Sequence, residues 1–409
     1  MLQNPFSSVL YVMPKPVGSA CNLACYYCYY LEKSVTLPGG GASLLMDDAT
    51  LEEFIKQYFA AQTASEVVFT WHGGEAMMRP IAFYEKVMKL QHRYCGGRNY
   101  LNCIQTNGTL LNPRWCEWLK RNNWLVGISI DGPAYAHDEF RRTPQGRPTH
   151  LSVLRAIRLL QYYGVEWNAM AVINSVNVYE PEEFYDFFKE IGCRYIQFTP
   201  IVERRPRNGG TLCSPHDAEG EMTEESITPQ EWGEFLVRVF DRWVRHDVGR
   251  VFVQLFDATL AGWVGVLPGV CTYAPSCGHA AMMEHNGDLY SCDHFAFPQY
   301  RLGNIHSSTI IEMMNSEAQQ RFGRAKYATL SRKCRECPYL KACNGECPKN
   351  RFVVTSEGER QNYLCEGYRR YFRHVAPVMD FMAAQLAAGK APADIMDHPE
   401  IISSLPYQE

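Results

Sequence analysis

The chain lacks any run of about 18 consecutive apolar residues, the length that a helix needs to cross a bilayer, so the sequence predicts no membrane span. It also lacks an excess of either charge, because 40 Lys+Arg stand against 44 Asp+Glu in 409 residues. This balance argues against a nucleic-acid binder, which usually needs a basic face. Residues 1–16 lack a basic segment followed by a long apolar stretch. No signal peptide is therefore predicted, and we expect a cytoplasmic protein.

Cysteine, by contrast, is abundant, with 16 residues in the chain. In a reducing compartment such cysteines are more often metal ligands or catalytic groups than disulfides. The alternative is a scatter of buried cysteines that behave as small apolar residues, which predicts irregular spacing. Eleven of the 16 instead fall into closely spaced groups, so we expect metal centres.

Short apolar runs alternate with longer helical patterns over the first 250 residues. The predicted strands are 9–13, 67–71, 101–106, 125–130, 168–173, 195–199 and 251–255, and the predicted helices are 48–62, 80–94, 112–122, 149–163, 181–191 and 229–247. This alternation predicts an α/β fold with a parallel sheet and crossover helices. About six strand–helix pairs favour a partial barrel, whose reactive groups lie at the carboxyl ends of the strands.

The regular alternation is lost after about residue 256, where Gly and His residues interrupt a cysteine series. This texture predicts a small, loop-rich domain that metal centres hold together. We therefore expect a core domain over 1–250, a cysteine-rich domain over 251–375, and a C-terminal helix and tail over 376–409. Within this tail the predicted helix covers about 376–388.

The first cysteine group follows the first predicted strand. Cys21, Cys25 and Cys28 are separated by three and two residues, which fits a tight loop around one metal centre. Structural zinc normally takes four ligands. Three thiolates with no fourth Cys or His nearby suit a [4Fe–4S] cluster that leaves one iron open to a cofactor or substrate.

This Cys-x3-Cys-x2-Cys pattern, with aromatic Tyr27 before the last Cys, resembles the signature of radical S-adenosylmethionine (SAM) enzymes. The resemblance implies a partial (β/α)6 radical SAM barrel in which SAM binds the open iron. Electron transfer into the sulfonium then produces methionine and a 5′-deoxyadenosyl radical. Tyr27 is implied to lie at the cofactor.

Other segments resemble the family's SAM contacts. Gly73, Gly74 and Glu75 follow the second predicted strand and match the motif that binds the methionyl amino group. Ser129 and Arg141 resemble the family's contacts to the ribose and to the carboxylate. A surface salt bridge is the alternative role for Arg141.

Eight further cysteines form the second series, and two structural zinc sites are one interpretation of them. The spacing also resembles the SPASM domain of peptide-modifying radical SAM enzymes, which holds two auxiliary [4Fe–4S] clusters. By this resemblance auxiliary cluster I is held by Cys271, Cys277, Cys292 and Cys347, and auxiliary cluster II by Cys334, Cys337, Cys343 and Cys365. Both clusters are then fully ligated by cysteine, which implies electron transfer. The implied cofactors are three [4Fe–4S] clusters and SAM.

Asp293 directly follows Cys292, and a carboxylate beside a cluster is suited to accept a proton near an electron acceptor. The alternative is a carboxylate that only binds loop amides. Together with the tracts 105–110, 301–305 and 343–348, this pair resembles anaerobic sulfatase-maturating enzymes. The similarity is greatest to the members known as regulators of chondroitin sulfate and heparin utilisation.

This resemblance implies oxidation of a Cys or Ser in the sulfatase segment Cys/Ser-x-Pro/Ala-x-Arg to Cα-formylglycine. Asp293 matches the family's base, and Gln105 and Tyr30 match substrate-side positions. His72 stands where some members have Gln, and a strand-end histidine bonded to the backbone is its alternative role. The implied partners are an unfolded or nascent sulfatase polypeptide and an electron donor such as flavodoxin or ferredoxin.

Two other functions remain open at this point. One is a SPASM enzyme that crosslinks or epimerises another ribosomal peptide. Such enzymes often carry an N-terminal peptide-recognition domain, and only about twenty residues precede Cys21, which favours sulfatase maturation. The other is a regulatory protein that uses metal only for structure, which leaves the missing fourth ligand of the first group unexplained.

Overall fold

The structure of the chain, a computed structural model, describes residues 10–37, 45–215, 217, 219–403 and 405. Two compact units divide the chain. The first contains Met1–Ile130, His137–Trp167 and Cys277–Ala325. The second contains Asp131–Ala136, Asn168–Ser276 and Lys326–Glu409.

The strands predicted from apolar runs are largely confirmed. The strands are β1 (Tyr11–Pro14), β2 (Glu66–Trp71), β3 (Asn99–Thr106), β4 (Leu125–Ser129), β5 (Trp167–Ile173), β6 (Tyr195–Pro200), β7 (Arg204–Arg205), β8 (Glu221–Met222), β9 (Phe252–Val253), β10 (Ala280–Met283), β11 (Asp288–Tyr290), β12 (Arg301–Asn304), β13 (Val353–Val354) and β14 (Arg360–Gln361). The predicted strand at 251–255 was wrong in its second half, because a helix begins at Gln254. Phe256 and Thr259 continue the apolar pattern at helical spacing and are buried. Residue 9 of the first predicted strand lies outside the described residues.

The predicted helices agree even more closely. The helices are α1 (Lys33–Thr36), α2 (Asp48–Ala61), α3 (Ile81–Tyr94), α4 (Pro113–Arg121), α5 (Ala134–Phe140), α6 (His150–Tyr163), α7 (Pro181–Glu190), α8 (Pro229–His246), α9 (Gln254–Trp263), α10 (Ile310–Met314), α11 (Glu317–Ala328), α12 (Arg332–Arg335), α13 (Leu340–Cys343), α14 (Cys365–Ala387) and α15 (Pro399–Ser403). Capping explains the clean boundaries: the Asp47 side chain accepts from Thr50 N, and Thr228 and Glu231 form a capping box. None of the helices in the described part of the chain is long and apolar enough to cross a membrane.

The C-terminal helix begins earlier than predicted. The sequence predicts a helix from about residue 376, whereas α14 starts at Cys365. Tyr368, Tyr371, Phe372 and Val375 are buried at spacings of three and four residues, so this segment already has an apolar helical face. The cysteine at its first position made the segment look like part of the preceding loop.

In the first unit, β2, β3 and β4 are parallel neighbours, with Gln105 of β3 opposite Gly127 of β4. The long-range pairing of β1 is the unexpected feature: it runs parallel to β10, with Pro14 opposite Met283. Antiparallel β11 and β12 extend from β10. This pairing brings the end of β1 close to the segment that follows β10, as the hydrogen bond from Lys15 N to Met283 O shows (2.9 Å).

The second unit contains β5, β6 and β9, which are also parallel. Helices α8 and α14 pack closely in this unit, and glycines at their contact allow it. A Cβ added to Gly367 would lie 2.2 Å from Pro229 O. The buried aromatic rings of Trp232, Phe240 and Tyr371 complete this core.

Candidate active site

Gly74 and Glu75, at the carboxyl end of β2, hold the segment that leads into the cysteine loop. Gly74 N donates to Gly18 O and Glu75 N donates to Ala20 O, both at 2.8 Å. A Cβ added to Gly74 would lie 1.8 Å from Ala20 O, a distance that no side chain tolerates. A glycine at this position is therefore required for the loop before Cys21 to lie against the strand end.

We expect Gly74→Ala to displace this loop and to lower the iron content by about four atoms per chain, the content of one [4Fe–4S] cluster. The measurement is iron and sulfide per chain after anaerobic reconstitution. Gly97→Ala is the control, because an added Cβ there would meet nothing within 4 Å, although Gly97, unlike Gly74, has a left-handed backbone (φ +82°). Equal iron contents in the two variants would contradict the prediction.

Cys21, the first cysteine of the loop, meets a backbone and a side-chain N–H group. Leu23 N donates to Cys21 Sγ at 3.4 Å, and Asn107 Nδ2 lies 3.8 Å from the same sulfur. Burial raises the pKa of Cys21 to about 11 and also raises the pKa of Cys28. Iron would replace the proton of such a thiol, and N–H donors stabilise the resulting thiolate. The donor set therefore fits an iron–sulfur cluster.

The alternative interpretation of the second cysteine series, two structural zinc sites, is not supported by the arrangement of the side chains. Among the described residues, no group of three or more His, Cys, Asp or Glu side chains is arranged to hold a single metal ion. A [4Fe–4S] cluster does not need that arrangement, since each cysteine binds a different iron.

Glu75 is buried and bound by the protein itself. Its carboxylate accepts hydrogen bonds from Met77 N, Thr106 Oγ1 and Asn107 N, each at 2.8 Å. Burial raises the pKa of Glu75, although these hydrogen bonds oppose the shift. The carboxylate thus ties the end of β2 to the end of β3.

Asp293 lies at the centre of a charged network in the first unit. Its Oδ1 lies 2.7 Å from Lys15 Nζ, and its Oδ2 accepts a hydrogen bond from the Tyr29 hydroxyl. Burial alone would raise the pKa of Asp293. The positive charge of Lys15, together with neighbouring histidines, lowers this pKa by more than burial raises it. The pKa therefore lies well below its usual range. The carboxylate is therefore ionised at neutral pH, the form that can accept a proton, while its pairing with Lys15 makes it a weaker base than a free carboxylate.

His72 joins this network through one ring nitrogen. Its Nδ1 accepts from Gly73 N at 2.7 Å and lies 3.2 Å from Lys15 Nζ. Burial and the charge of Lys15 lower the pKa of His72 to about 3. The ring is therefore neutral, and with Nδ1 as acceptor its proton is on Nε2. His72 is thus bonded to the backbone, as its alternative role requires, and its Nε2–H remains as a donor.

The two adjacent tyrosines have different partners. The Tyr30 hydroxyl donates to Glu284 and the side chain is 5% exposed, so it does not reach Asp293. Tyr29, which sequence reasoning did not select, makes the contact to Asp293, and its ring stacks on His294. Lys15 was also missed. A lysine directly after a strand whose carboxyl end faces the site is the signal that could have indicated it.

The remaining predicted contacts also lie in the first unit. Gln105 Nε2 donates to Ser129 Oγ at 3.0 Å, which joins the ends of β3 and β4. Arg141 is 7% exposed and its guanidinium lies 5.5 Å from the centre of the Tyr27 ring. Arg141 is therefore buried rather than at the surface, and its role as a SAM contact stays a prediction.

Four cysteines of the second series line one pocket in the second unit, and they are Cys334, Cys337, Cys343 and Cys365. Burial raises the pKa of Cys365 to about 11 and also raises the pKa of Cys343. This donor set fits auxiliary cluster II. The set predicted for auxiliary cluster I is divided, since Cys277 and Cys292 belong to the first unit and Cys271 and Cys347 to the second. That ligand set stays a prediction.

Comparison with known proteins agrees with this geometry. The pattern of the radical SAM superfamily matches residues 16–188, and that of the SPASM iron–sulfur cluster-binding domain matches residues 275–338. The serine-type anaerobic sulfatase-maturating enzyme of Bacteroides thetaiotaomicron is 56% identical over 396 residues, which cover 96% of this chain and 95% of that protein. The chain belongs to the anaerobic sulfatase-maturating enzymes.

Other members of the family are more distant but match along nearly the whole chain. The cysteine-type anaerobic sulfatase-maturating enzyme of Clostridium perfringens is 29% identical over 90% of this chain and 96% of its own length. The solved structure of native anSMEcpe with bound AdoMet and the Cp18Cys peptide matches with a TM-score of 0.80 at 27% identity, covering 92% of this chain and 99% of that one. The predicted radical SAM fold with a SPASM domain is confirmed.

Proposed function

We propose that this sulfatase-maturating enzyme oxidises a target Cys or Ser of a sulfatase polypeptide to Cα-formylglycine, with Asp293 as the base. The observation that carries this proposal is the position of the Asp293 carboxylate. It is paired with Lys15 and lies in the same compact unit as the Cys21–Cys28 loop. An ionised, partly buried carboxylate next to a predicted cluster ligand is suited to take the thiol or hydroxyl proton.

When bound at the Cys21–Cys28 loop, SAM and its cluster would supply the one-electron chemistry that removes a β-hydrogen from the target side chain, and an auxiliary cluster would accept the second electron of the oxidation. The residues of the chain orient and deprotonate that side chain. Asp293 accepts the proton, and His72 donates from Nε2 to the substrate. Gln105, whose Nε2 donates to Ser129 Oγ, is the other proposed contact to the substrate.

The SAM contacts divide between backbone and side chains. Since the Glu75 carboxylate is occupied by three protein donors, we assign the methionyl amino group to the backbone of Gly73, Gly74 and Glu75. Arg141 supplies the cation for the SAM carboxylate, and Ser129 binds the ribose. Tyr27 packs beside Arg141 and keeps its guanidinium directed at the cofactor.

The full cofactor set comprises three [4Fe–4S] clusters, two of them in a SPASM domain that we place at 251–375, after a core at 1–250. We expect about twelve iron atoms per chain, four for each cluster, after anaerobic reconstitution. Iron and sulfide analysis tests this number. Two zinc atoms and no iron would exclude the proposal.

Serine is the first substrate to test, because the relatives named serine-type are 56% and 34% identical, whereas those named cysteine-type are 28–29% identical. We expect aldehyde on a serine peptide of the sulfatase motif, incubated anaerobically with SAM and a reductant, and compared with the matching cysteine peptide. Mass spectrometry with a hydrazide that traps aldehydes measures it. Loss of two hydrogens without a trapped aldehyde would instead indicate crosslinking.

The electrons that start the reaction come from a protein donor such as flavodoxin or ferredoxin. Reduced flavodoxin should therefore replace the chemical reductant in the same assay. The sulfatase binds as an unfolded or nascent polypeptide, because its target side chain must enter a partly buried site.

A further inference from the structure

Lys15 is a lysine with no exposed surface, at the end of β1. Its Nζ lies 2.7 Å from Asp293 Oδ1, 3.2 Å from His72 Nδ1 and 4.5 Å from the centre of the Tyr30 ring. The Lys15 ammonium group therefore contacts Asp293, the proposed base, and His72, the proposed hydrogen-bond donor to the substrate. None of the family motifs considered above includes this residue.

Burying a lysine is costly unless its charge is paired, so its position needs a reason. Replacing a buried ion pair by apolar residues is often neutral or stabilising, which makes stability alone a weak reason. The geometry offers a better one. Lys15 and Tyr29 each hold one oxygen of Asp293, which fixes the plane of the carboxylate. Lys15 Nζ and Gly73 N both lie within hydrogen-bond distance of His72 Nδ1, which fixes the orientation of the imidazole ring.

We propose that Lys15 is a positioning residue, whose ammonium holds the Asp293 carboxylate and the His72 ring in the orientation that deprotonation of the substrate requires. This inference rests on the proposed function. In this role Lys15 acts through Asp293 and His72, and within the described part of the chain its side chain makes no hydrogen bond or ion pair to a cysteine of the loop. Radical formation and hydrogen abstraction therefore do not depend on it, whereas formation of the aldehyde does.

The inference also predicts a difference between the two substrate classes. A free thiol has a pKa near 8.5, whereas a serine hydroxyl is a much weaker acid. The serine reaction therefore depends more strongly on an aligned base. Loss of Lys15 should lower aldehyde formation from the serine peptide more than from the cysteine peptide, a difference that general unfolding would not produce.

The test compares Lys15→Met, Asp293→Asn and the double variant in the holoenzyme, with iron, 5′-deoxyadenosine and aldehyde measured in each preparation. We expect Lys15→Met to keep its iron and its deoxyadenosine yield. The aldehyde-to-deoxyadenosine ratio should fall by up to about 10²-fold, as for a displaced catalytic group. In the Asp293→Asn background the same substitution should lower the ratio much less, because only the orientation of His72 is then lost. Lys33→Met is the control, since Lys33 is also buried in the first unit but packs over the Phe297 ring.

Three results would overturn the inference: a wild-type ratio in Lys15→Met, equal losses on the two peptides, or a loss in the Asp293→Asn background as large as in the wild-type background. If Lys15→Met loses iron, the double variant decides, because it leaves no unpaired buried carboxylate. Recovery of iron there supports the pairing of Lys15 with Asp293, and continued loss overturns it. Failure of the proposed function is separate, since the wild-type enzyme would then form no aldehyde on either peptide.

Discussion

Cys25→Ala is expected to abolish the formation of 5′-deoxyadenosine from SAM. The loop offers three thiolates, at Cys21, Cys25 and Cys28, and two cannot hold a four-iron cluster with a single open iron. Without that iron, SAM is neither bound for cleavage nor reduced. The loss should therefore be complete, and it should include cleavage of SAM in the absence of any peptide. Chromatography of anaerobic reactions containing SAM and a reductant measures the product.

Cys95→Ala is the matched control for this experiment. Cys95 lies in the same compact unit, directly after α3, and its thiol donates to His92 O. We expect the control to retain iron and activity, while Cys25→Ala loses about four iron atoms and keeps the rest. A normal deoxyadenosine yield from Cys25→Ala, with the other clusters fully loaded, would remove the assignment of this loop.

Local patterns in the sequence were enough to predict most of the fold. The caps at Asp47 and Thr228 fix where α2 and α8 begin, and both signals lie within a few residues of the helix itself. The spacing of Cys21, Cys25 and Cys28 is also local. Errors arose where the same apolar residues fit two structures, as at Gln254, where a strand becomes a helix.

The site was harder to predict, because its contacts join distant parts of the chain. Lys15 contacts Asp293 because β1 pairs with β10. No periodic pattern in the sequence predicts a parallel pairing between segments so far apart in the chain. The choice between Tyr29 and Tyr30 is equally hidden. Two adjacent tyrosines in a turn look alike, and only the fold turns one toward Asp293 and the other toward Glu284.

Asp293→Asn is expected to separate the two halves of the reaction. The amide keeps nearly the same shape but cannot accept the substrate proton as a carboxylate does. Removal of a positioned base typically costs about 10²–10⁴-fold in the step it serves. In the proposed reaction, SAM binding, its reductive cleavage and hydrogen abstraction precede that step. The variant should therefore still form 5′-deoxyadenosine, and this product should contain deuterium when the peptide is labelled at the β-carbon. The yield of aldehyde should be low.

The competing role for Asp293 is structural, because it opens the short turn Asp293–Phe295 directly after the predicted ligand Cys292. In that case Asp293→Asn would lower iron, deoxyadenosine and aldehyde together. Asp288→Asn provides the comparison: Asp288 is a buried carboxylate of the same segment, paired with Arg301 at 2.6 Å. Its removal should affect stability and leave the aldehyde-to-deoxyadenosine ratio unchanged. A wild-type aldehyde yield from Asp293→Asn would defeat the base assignment, since a carboxylate that Lys15 keeps ionised has no other chemical role in this step.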